Sequence, residues 1–169
     1  MSLRIDILRI LPIFCFIVSA TFTQAQTAAI DALRFASTDQ ERLIAHSDLA
    51  QEMRTKLSRC VTKEDVMSLI GDWPFGAASA GSNKDWAIVL TWNVESIARE
   101  QTYGGFVIFN NDKSDLGWGW VELEHCKKEN IKDDGRSYKP NSWTGALYYS
   151  IILKYEGKTP LYTLLGWDG

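Results

Sequence analysis

Apolar side chains recur every three or four positions over residues 38–59, and this spacing predicts an α-helix. On such a helix they form one stripe, while Asp48 and Glu52 fall mainly elsewhere. Thr38 and Glu41 have the spacing of a capping box at a helix start. The stripe comprises Leu43, His46, Ala50, Met53, Leu57 and Cys60. We therefore expect an amphipathic helix that buries this stripe.

A second, shorter helix is predicted to follow directly. Thr62 can cap it, and Glu64 and Asp65 suit the positive end of its dipole. Gly71 is expected to end it. The next stretch, GDWPFGAASAGSNKD over residues 71–85, is rich in Gly, Ala and Ser and is interpreted as a connecting loop.

From residue 85 onward the chain changes to short runs of β-branched and aromatic residues, which are typical of strands. Glu156 to Thr159 has the composition of a hairpin turn between the last two runs. The polar stretch 126–142 is expected to be a long exposed loop. The predicted strands cover residues 86–94, 103–110, 117–123, 145–155 and 161–167.

A helical segment over residues 26–84 followed by strands over residues 85–169 predicts an α+β fold. We expect a single domain in which the amphipathic helix, with the short second helix, packs on one antiparallel sheet of about five strands. In the first strand the even-numbered side is the stronger candidate for the core. That side carries Trp86, Ile88, Leu90, Trp92 and Val94.

The first 25 residues have the layout of a secretory signal peptide. Arg4 and Arg9 precede an apolar stretch at residues 10–20, and Thr23-Gln24-Ala25 resembles a cleavage site. The apolar stretch is shorter than the roughly 20 residues that span a bilayer, which disfavours the alternative of a retained anchor. We therefore expect an exported protein, periplasmic or secreted, with no transmembrane anchor after cleavage.

The charge of the chain bears on which partners it can bind, and its cysteines bear on whether it contains a disulfide. The chain has 18 basic and 21 acidic side chains and a net charge of −3, and no basic patch or run points to nucleic acid. Cys60 and Cys126 remain after cleavage at Ala25. In an oxidising compartment they could form a disulfide, although two separate thiols are equally compatible with so few cysteines.

The stretch GWGWVELEH at residues 117–125 holds the best candidate binding residues. If strand alternation is unbroken, Trp118, Trp120, Glu122 and Glu124 share one exposed face, a row that suits a carbohydrate. A β-bulge at the glycines would instead turn both tryptophans into the core and leave the glutamates in water. Both interpretations stand at the level of sequence.

The sequence contains no metal-ligand cluster, cofactor motif or nucleophile elbow. Glu122 and Glu124 could act as acid and base about 6.6 Å apart, but they would project side by side from one strand instead of flanking a substrate. Composition therefore favours a non-enzymatic exported protein that binds an envelope glycan, peptide or protein. A small carbohydrate-active hydrolase is the alternative.

Five stretches in this order resemble a family of uncharacterised exported bacterial proteins: TDQERLIAHSDLAQEMRTKL, DWAIVLTWNVE, TYGGFVIFN, SWTGALYYSIILK and TPLYTLLGWDG. A W-x-GALYY-x-II strand, a hairpin and YTLLGWDG carry the resemblance most specifically. It implies export and this architecture, but no activity, ligand or site residue. It also implies that relatives continue beyond the final WDG, so a truncated and inert copy is a third expectation.

Overall fold

A computed structural model describes residues 28–69, 71, 73–82, 84–126 and 140–167. The predicted signal peptide, most of the polar loop predicted at residues 126–142, and Asp168 with Gly169 lie outside the described residues. The chain divides into two compact units, Met1–Glu52 and Met53–Gly169.

Three helices form the first part of the described chain: α1 at residues 28–35, α2 at Asp39–Leu57 and α3 at Lys63–Ser68. The capping box of α2 is confirmed, because the Glu41 amide donates to Thr38 Oγ1 at 3.2 Å and the Thr38 amide donates to Glu41 Oε2 at 3.1 Å. Leu43 of the predicted stripe is exposed, whereas Met53 and Leu57 are buried.

Helix α3 begins at a second reciprocal cap. The Asp65 amide donates to Thr62 Oγ1, and Asp65 Oδ2 accepts hydrogen bonds from the Val61 and Thr62 amides at 3.0 and 2.8 Å. These backbone donors hold the pKa of Asp65 below its usual value. Thr62 is therefore the cap that the sequence predicts, although the helix ends at Ser68, earlier than the predicted stop at Gly71.

Four antiparallel strands form the main sheet in the order β1-β2-β3-β4. Their bounds are Gly76–Ser82, Asp85–Glu95, Gln101–Asn110 and Trp118–Glu124. The prediction of a loop over residues 71–85 is wrong, because β1 pairs with β2 along its whole length. Glycine, alanine and serine are poor strand formers, so pairing with a strongly β-prone neighbour here overrides local preference.

The last two strands, β5 at Leu147–Glu156 and β6 at Thr159–Trp167, form a separate two-stranded sheet. The predicted turn between them is confirmed at Gly157 and Lys158, where Gly157 has a φ of 62°. A register shift lies between Tyr148 and Ser150. The α+β class with antiparallel strands is thus present, but the expectation of one five-stranded sheet is wrong.

The hairpin β5–β6 covers one face of the main sheet. Ala87 and Val89 of β2 form a buried cluster with Ile151 of β5. Partly buried side chains packed around this cluster are Ala78, Ala80, Val107, Phe109, Leu123, Tyr148, Tyr162 and Leu164. The even-numbered side of β2 is buried, as the sequence predicts, and the odd-numbered side is buried as well because the hairpin covers it.

Thr91 fastens the hairpin to the sheet from a fully buried position in β2. Its hydroxyl accepts a hydrogen bond from the Tyr148 amide of β5 at 3.0 Å and donates to the Gly76 carbonyl of β1 at 3.4 Å. A Cβ on Gly76 would lie 2.5 Å from Thr91 Oγ1 and 3.0 Å from the Tyr148 backbone. The small residues of β1 therefore let β5 cross close above it.

Candidate functional site

Strand β4 carries the four predicted binding residues, and its alternation is unbroken. It pairs with β3 without a register shift, from Asn110 opposite Trp118 to Gly104 opposite Glu124. The bulge that would have re-aimed the tryptophans is therefore absent from this strand, and Trp118, Trp120, Glu122 and Glu124 share one face as alternation predicts.

That face is not an open aromatic row. Trp118 is only 4 % exposed, and the ring of Trp120 packs edge-on against Phe106 at 5.6 Å between centroids. Phe106 stacks on Trp92 at 6.0 Å, and Trp92 meets Trp73 at 5.9 Å. Of the two interpretations, the exposed row is wrong at Trp118 and the core position is right, although no bulge is needed for it, because this side of β4 continues the buried face of β2 and β3.

The indole nitrogen of Trp118 is buried and makes no hydrogen bond among the residues that the structure describes. Trp73, by contrast, donates from its indole nitrogen to the Thr91 carbonyl at 3.3 Å. Indole N–H groups usually find a partner when buried, so Trp118 is packed at some cost in free energy.

Glu122 forms a bidentate ion pair with Arg54 of α2. The Arg54 Nε and Nη2 atoms donate to Glu122 Oε2 and Oε1 at 2.7 and 2.8 Å. These hydrogen bonds, together with the negative charges of Glu122 and Glu124, raise the pKa of Arg54 against the effect of its partial burial. Since both Glu122 oxygens accept from the Arg54 guanidinium, this carboxylate holds α2 to β4.

Cys60 and Cys126, the candidate disulfide pair, are both free thiols in the structure. The Cys60 Sγ atom donates to the Lys56 carbonyl at 3.4 Å, and burial, with the nearby Asp65 charge, raises its pKa. Cys126 belongs to a different part of the chain, where its amide donates to the Trp143 carbonyl at 2.7 Å. The alternative of two separate thiols describes them.

A second aromatic cluster gathers beside Cys126. Tyr103 meets the His125 ring at 5.4 Å and the Trp143 ring at 6.0 Å, both edge-on. Trp143 donates from its indole nitrogen to the Tyr148 hydroxyl at 3.0 Å. Gly145, with a φ of 93°, lies where a Cβ would enter the Tyr103 ring. This cluster joins β3 to the chain entering β5, which is a packing role.

The described ranges contain no group of three or more His, Cys, Asp and Glu side chains that could hold a metal ion. Within the same part of the chain no helix is long and apolar enough to cross a bilayer.

A group of accessible apolar side chains lies on the side of the hairpin that faces away from the main sheet. We call it the hairpin outer face. It is formed by Tyr149, Ile152, Leu161, Leu165 and Trp167, with Tyr149 exposed by 67 % and Trp167 by 59 %. By register the same side also carries Ser150, Lys154 and Thr163. Exposed apolar side chains grouped on one face mark interaction sites more often than isolated exposed residues do.

The hairpin outer face was missed at the level of sequence, although a signal existed. In β6 the residues Leu161, Leu165 and Trp167 share one parity and Tyr162 and Leu164 the other, so both faces of the strand are apolar. A strand of this kind is normally covered on both sides. Here only the inner side packs on the main sheet.

Tyr155 anchors the turn end of the hairpin. Its hydroxyl donates to Asp85 Oδ2 at the start of β2, at 3.0 Å, and this bond raises the pKa of Tyr155. The Thr91 hydroxyl makes a second hydrogen bond near the opposite end of β5, so the hairpin is tied to β2 at both ends.

No protein-family model, no curated protein and no solved structure matches this chain.

Proposed function

We propose that the chain is an exported, non-enzymatic protein that binds a protein partner through the hairpin outer face. The observation that carries this proposal is the exposure of five large apolar side chains, Tyr149, Ile152, Leu161, Leu165 and Trp167, on one side of a two-stranded sheet. Tryptophan and tyrosine are among the side chains that supply most of the binding energy at protein interfaces, and Tyr149 and Trp167 are the two most exposed of this set.

The chemistry of the surface favours an extended polypeptide segment over a glycan. β6 is paired only with β5 among the described strands, so its other edge offers backbone donors and acceptors to an added strand. Side chains of the hairpin outer face can take up alternate apolar side chains of that segment. Of the two carboxylates that were candidates for a sugar, Glu122 is already engaged by Arg54, and only Glu124 is exposed.

The rest of the fold acts in this proposal as a support. Arg54 fastens α2 to β4, and Met53 and Leu57 of the same helix are buried. The hairpin is held on the main sheet through Ile151 and through the Thr91 hydroxyl. The hairpin outer face points away from these contacts and is left for a partner.

Export belongs to the proposal and is supported by the amino-terminal sequence. The basic opening, the short apolar stretch and Thr23-Gln24-Ala25 are typical of a cleaved signal peptide. The resemblance to exported proteins over residues 143–152 and 162–169 agrees with it. The partner is accordingly expected in the cell envelope or outside the cell.

The test uses the mature chain and immobilised short synthetic peptides whose apolar side chains alternate with polar ones. We expect saturable retention, and we expect binding to weaken about tenfold or more in a Leu161→Lys/Leu165→Lys variant. Soluble polysaccharides and cell-wall fragments serve as the competing ligand class.

The matched control is Ile97→Lys, which adds a charge at an exposed apolar residue between β2 and β3, away from the hairpin. This variant should bind the peptides as the unsubstituted chain does. Retention on polysaccharide alone, or equal loss in both variants, would contradict the proposal.

A further inference from the structure

One edge of β6 pairs with no other strand in the described ranges; this edge, here called the free edge, presents backbone groups at regular spacing. Glu156 and Thr159 flank the two-residue turn and are opposite each other, which makes them a hydrogen-bonded pair. Hydrogen-bonded and non-hydrogen-bonded pairs then alternate along the ladder. The N–H and C=O groups of Tyr162, Leu164 and Gly166 therefore point away from β5, toward the free edge.

Resting on the proposed function, we infer that the partner at this edge is a second copy of the chain, paired antiparallel about Leu164. The resulting sheet would continue from β5 and β6 of one copy into β6 and β5 of the other. Leu164 would lie opposite Leu164 of the second copy, and Tyr162 opposite its Gly166. All three outward N–H groups of each copy then find carbonyl acceptors.

The side chains of β6 suit pairing with themselves. In this register Leu161 lies opposite Trp167 of the second copy and Thr163 opposite its Leu165, so the two hairpin outer faces join into one apolar surface. β6 carries no charged residue between Thr159 and Trp167, so no like charges meet across the pairing. An edge without charges is one that natural sheets normally protect.

Pro160 determines which register is best. It has an even number and therefore faces the free edge with no N–H to donate. Pairing about Thr163 would set it opposite Gly166 of the second copy and leave that carbonyl without a donor. Pairing about Leu164 places Pro160 beyond the overlap of residues 161–167, where a proline on an edge is tolerated.

The available area points to a dimer of moderate strength. Pairing at this edge covers the backbone of β6 and the adjoining flanks of Leu161, Leu165 and Trp167, whereas Tyr149 on β5 stays outside the contact, so the buried area per copy is small. Stable interfaces bury roughly 800 Å² per partner. The association is therefore expected to depend on concentration.

The experiment measures the mass of the mature chain by light scattering across a dilution series. We expect a twofold rise in mass with concentration. Thr163→Glu/Leu165→Glu and Thr163→Lys/Leu165→Lys each set like charges opposite each other in the proposed register and should remain monomeric. Mixing the two variants sets Glu opposite Lys at both sites and should restore the dimer.

These substitutions lie on exposed positions of β6, and circular dichroism establishes that each variant is folded. A mass that stays at one chain overturns the inference, and so does a dimer that the Glu pair leaves intact. If the unsubstituted chain is monomeric and still retains the alternating peptides, the proposed function survives without self-pairing. If it retains none, both fail.

Discussion

β4 and β6 both carry tryptophans on a strand of mixed apolar character, yet they have opposite environments. Trp118 in β4 is nearly fully buried, and its neighbour Trp120 packs on Phe106. Trp167 in β6 is mostly exposed, and so are Leu161 and Leu165. Alternation alone would have assigned the open surface to β4, where two glutamates accompany the tryptophans.

The difference lies in what covers each strand. The tryptophan side of β4 continues a face already built from Trp92 and Phe106, and its glutamate at position 122 reaches Arg54. β6 belongs to a sheet of two strands that packs through one side only. In this protein the glutamate beside the tryptophans of β4 forms an ion pair at the edge of the core. The strand with an uninterrupted apolar run, β6, carries the exposed surface.

The largest expected effect comes from truncating a tryptophan in each strand. Trp118→Ala should lower the free energy of unfolding by about 3–5 kcal/mol because it removes a large buried side chain. Trp167→Ala should change it by about 0.5 kcal/mol or less because the side chain is exposed. Urea unfolding followed by far-ultraviolet circular dichroism measures both, and equal losses would refute the contrast.

The link between hairpin and sheet is tested next, by Thr91→Val. This variant keeps the shape of the side chain but removes the acceptor for the Tyr148 amide, which becomes a partly buried donor without that partner. The free energy of unfolding should fall by about 1–3 kcal/mol. Hydrogen exchange should speed up in β5 before it does in β3.

Thr163→Val is the matched control for that experiment, since it makes the same change on the exposed side of β6. It should leave stability close to that of the unsubstituted chain. A large loss in the control would mean that the outer side of the hairpin is covered.

The ion pair at β4 should have a smaller effect. Arg54 and Glu122 side chains are 40 % and 23 % exposed, so solvent screens their attraction despite the bidentate geometry. A double-mutant cycle with Arg54→Met and Glu122→Gln should give a coupling of about 0.5–1 kcal/mol that shrinks in high salt. A coupling insensitive to salt would indicate a more deeply enclosed pair than this.

The smallest expected effect is on stability at low pH, and it comes from Asp65 at the start of α3, outside both strands. The pKa of Asp65 is held below its usual value in the folded state, so its contribution is present above the ordinary carboxyl range and is lost as pH falls through the lowered pKa. Asp65→Asn should flatten the acid side of the stability curve. Thermal unfolding at a series of pH values measures this, and an unchanged slope would show that the cap does not contribute.

Much of the architecture could be predicted from local pattern. All five predicted strands agree with observed ones within two residues at each end, because β-branched and aromatic runs ended at clear turn residues. The caps at Thr38 and Thr62 were also predictable, since a capping box depends only on residues three apart.

What could not be predicted depends on neighbours distant in sequence. β1 has the composition of a loop and becomes a strand because β2 pairs with it and β5 crosses above Gly76. The division into two sheets rests on the same crossing. The ion pair of Glu122 with a residue of α2 joins positions 68 apart, which no spacing rule within a strand reveals.

The two-residue turn at Gly157 and Lys158 also affects the order of folding. Hairpins closed by such short loops form in roughly 1–10 μs, whereas contacts between distant strands form later. The hairpin should therefore exist before the main sheet is ready to receive it, with both of its apolar sides in water. During synthesis, this segment is the part of the chain for which a chaperone would have most to do.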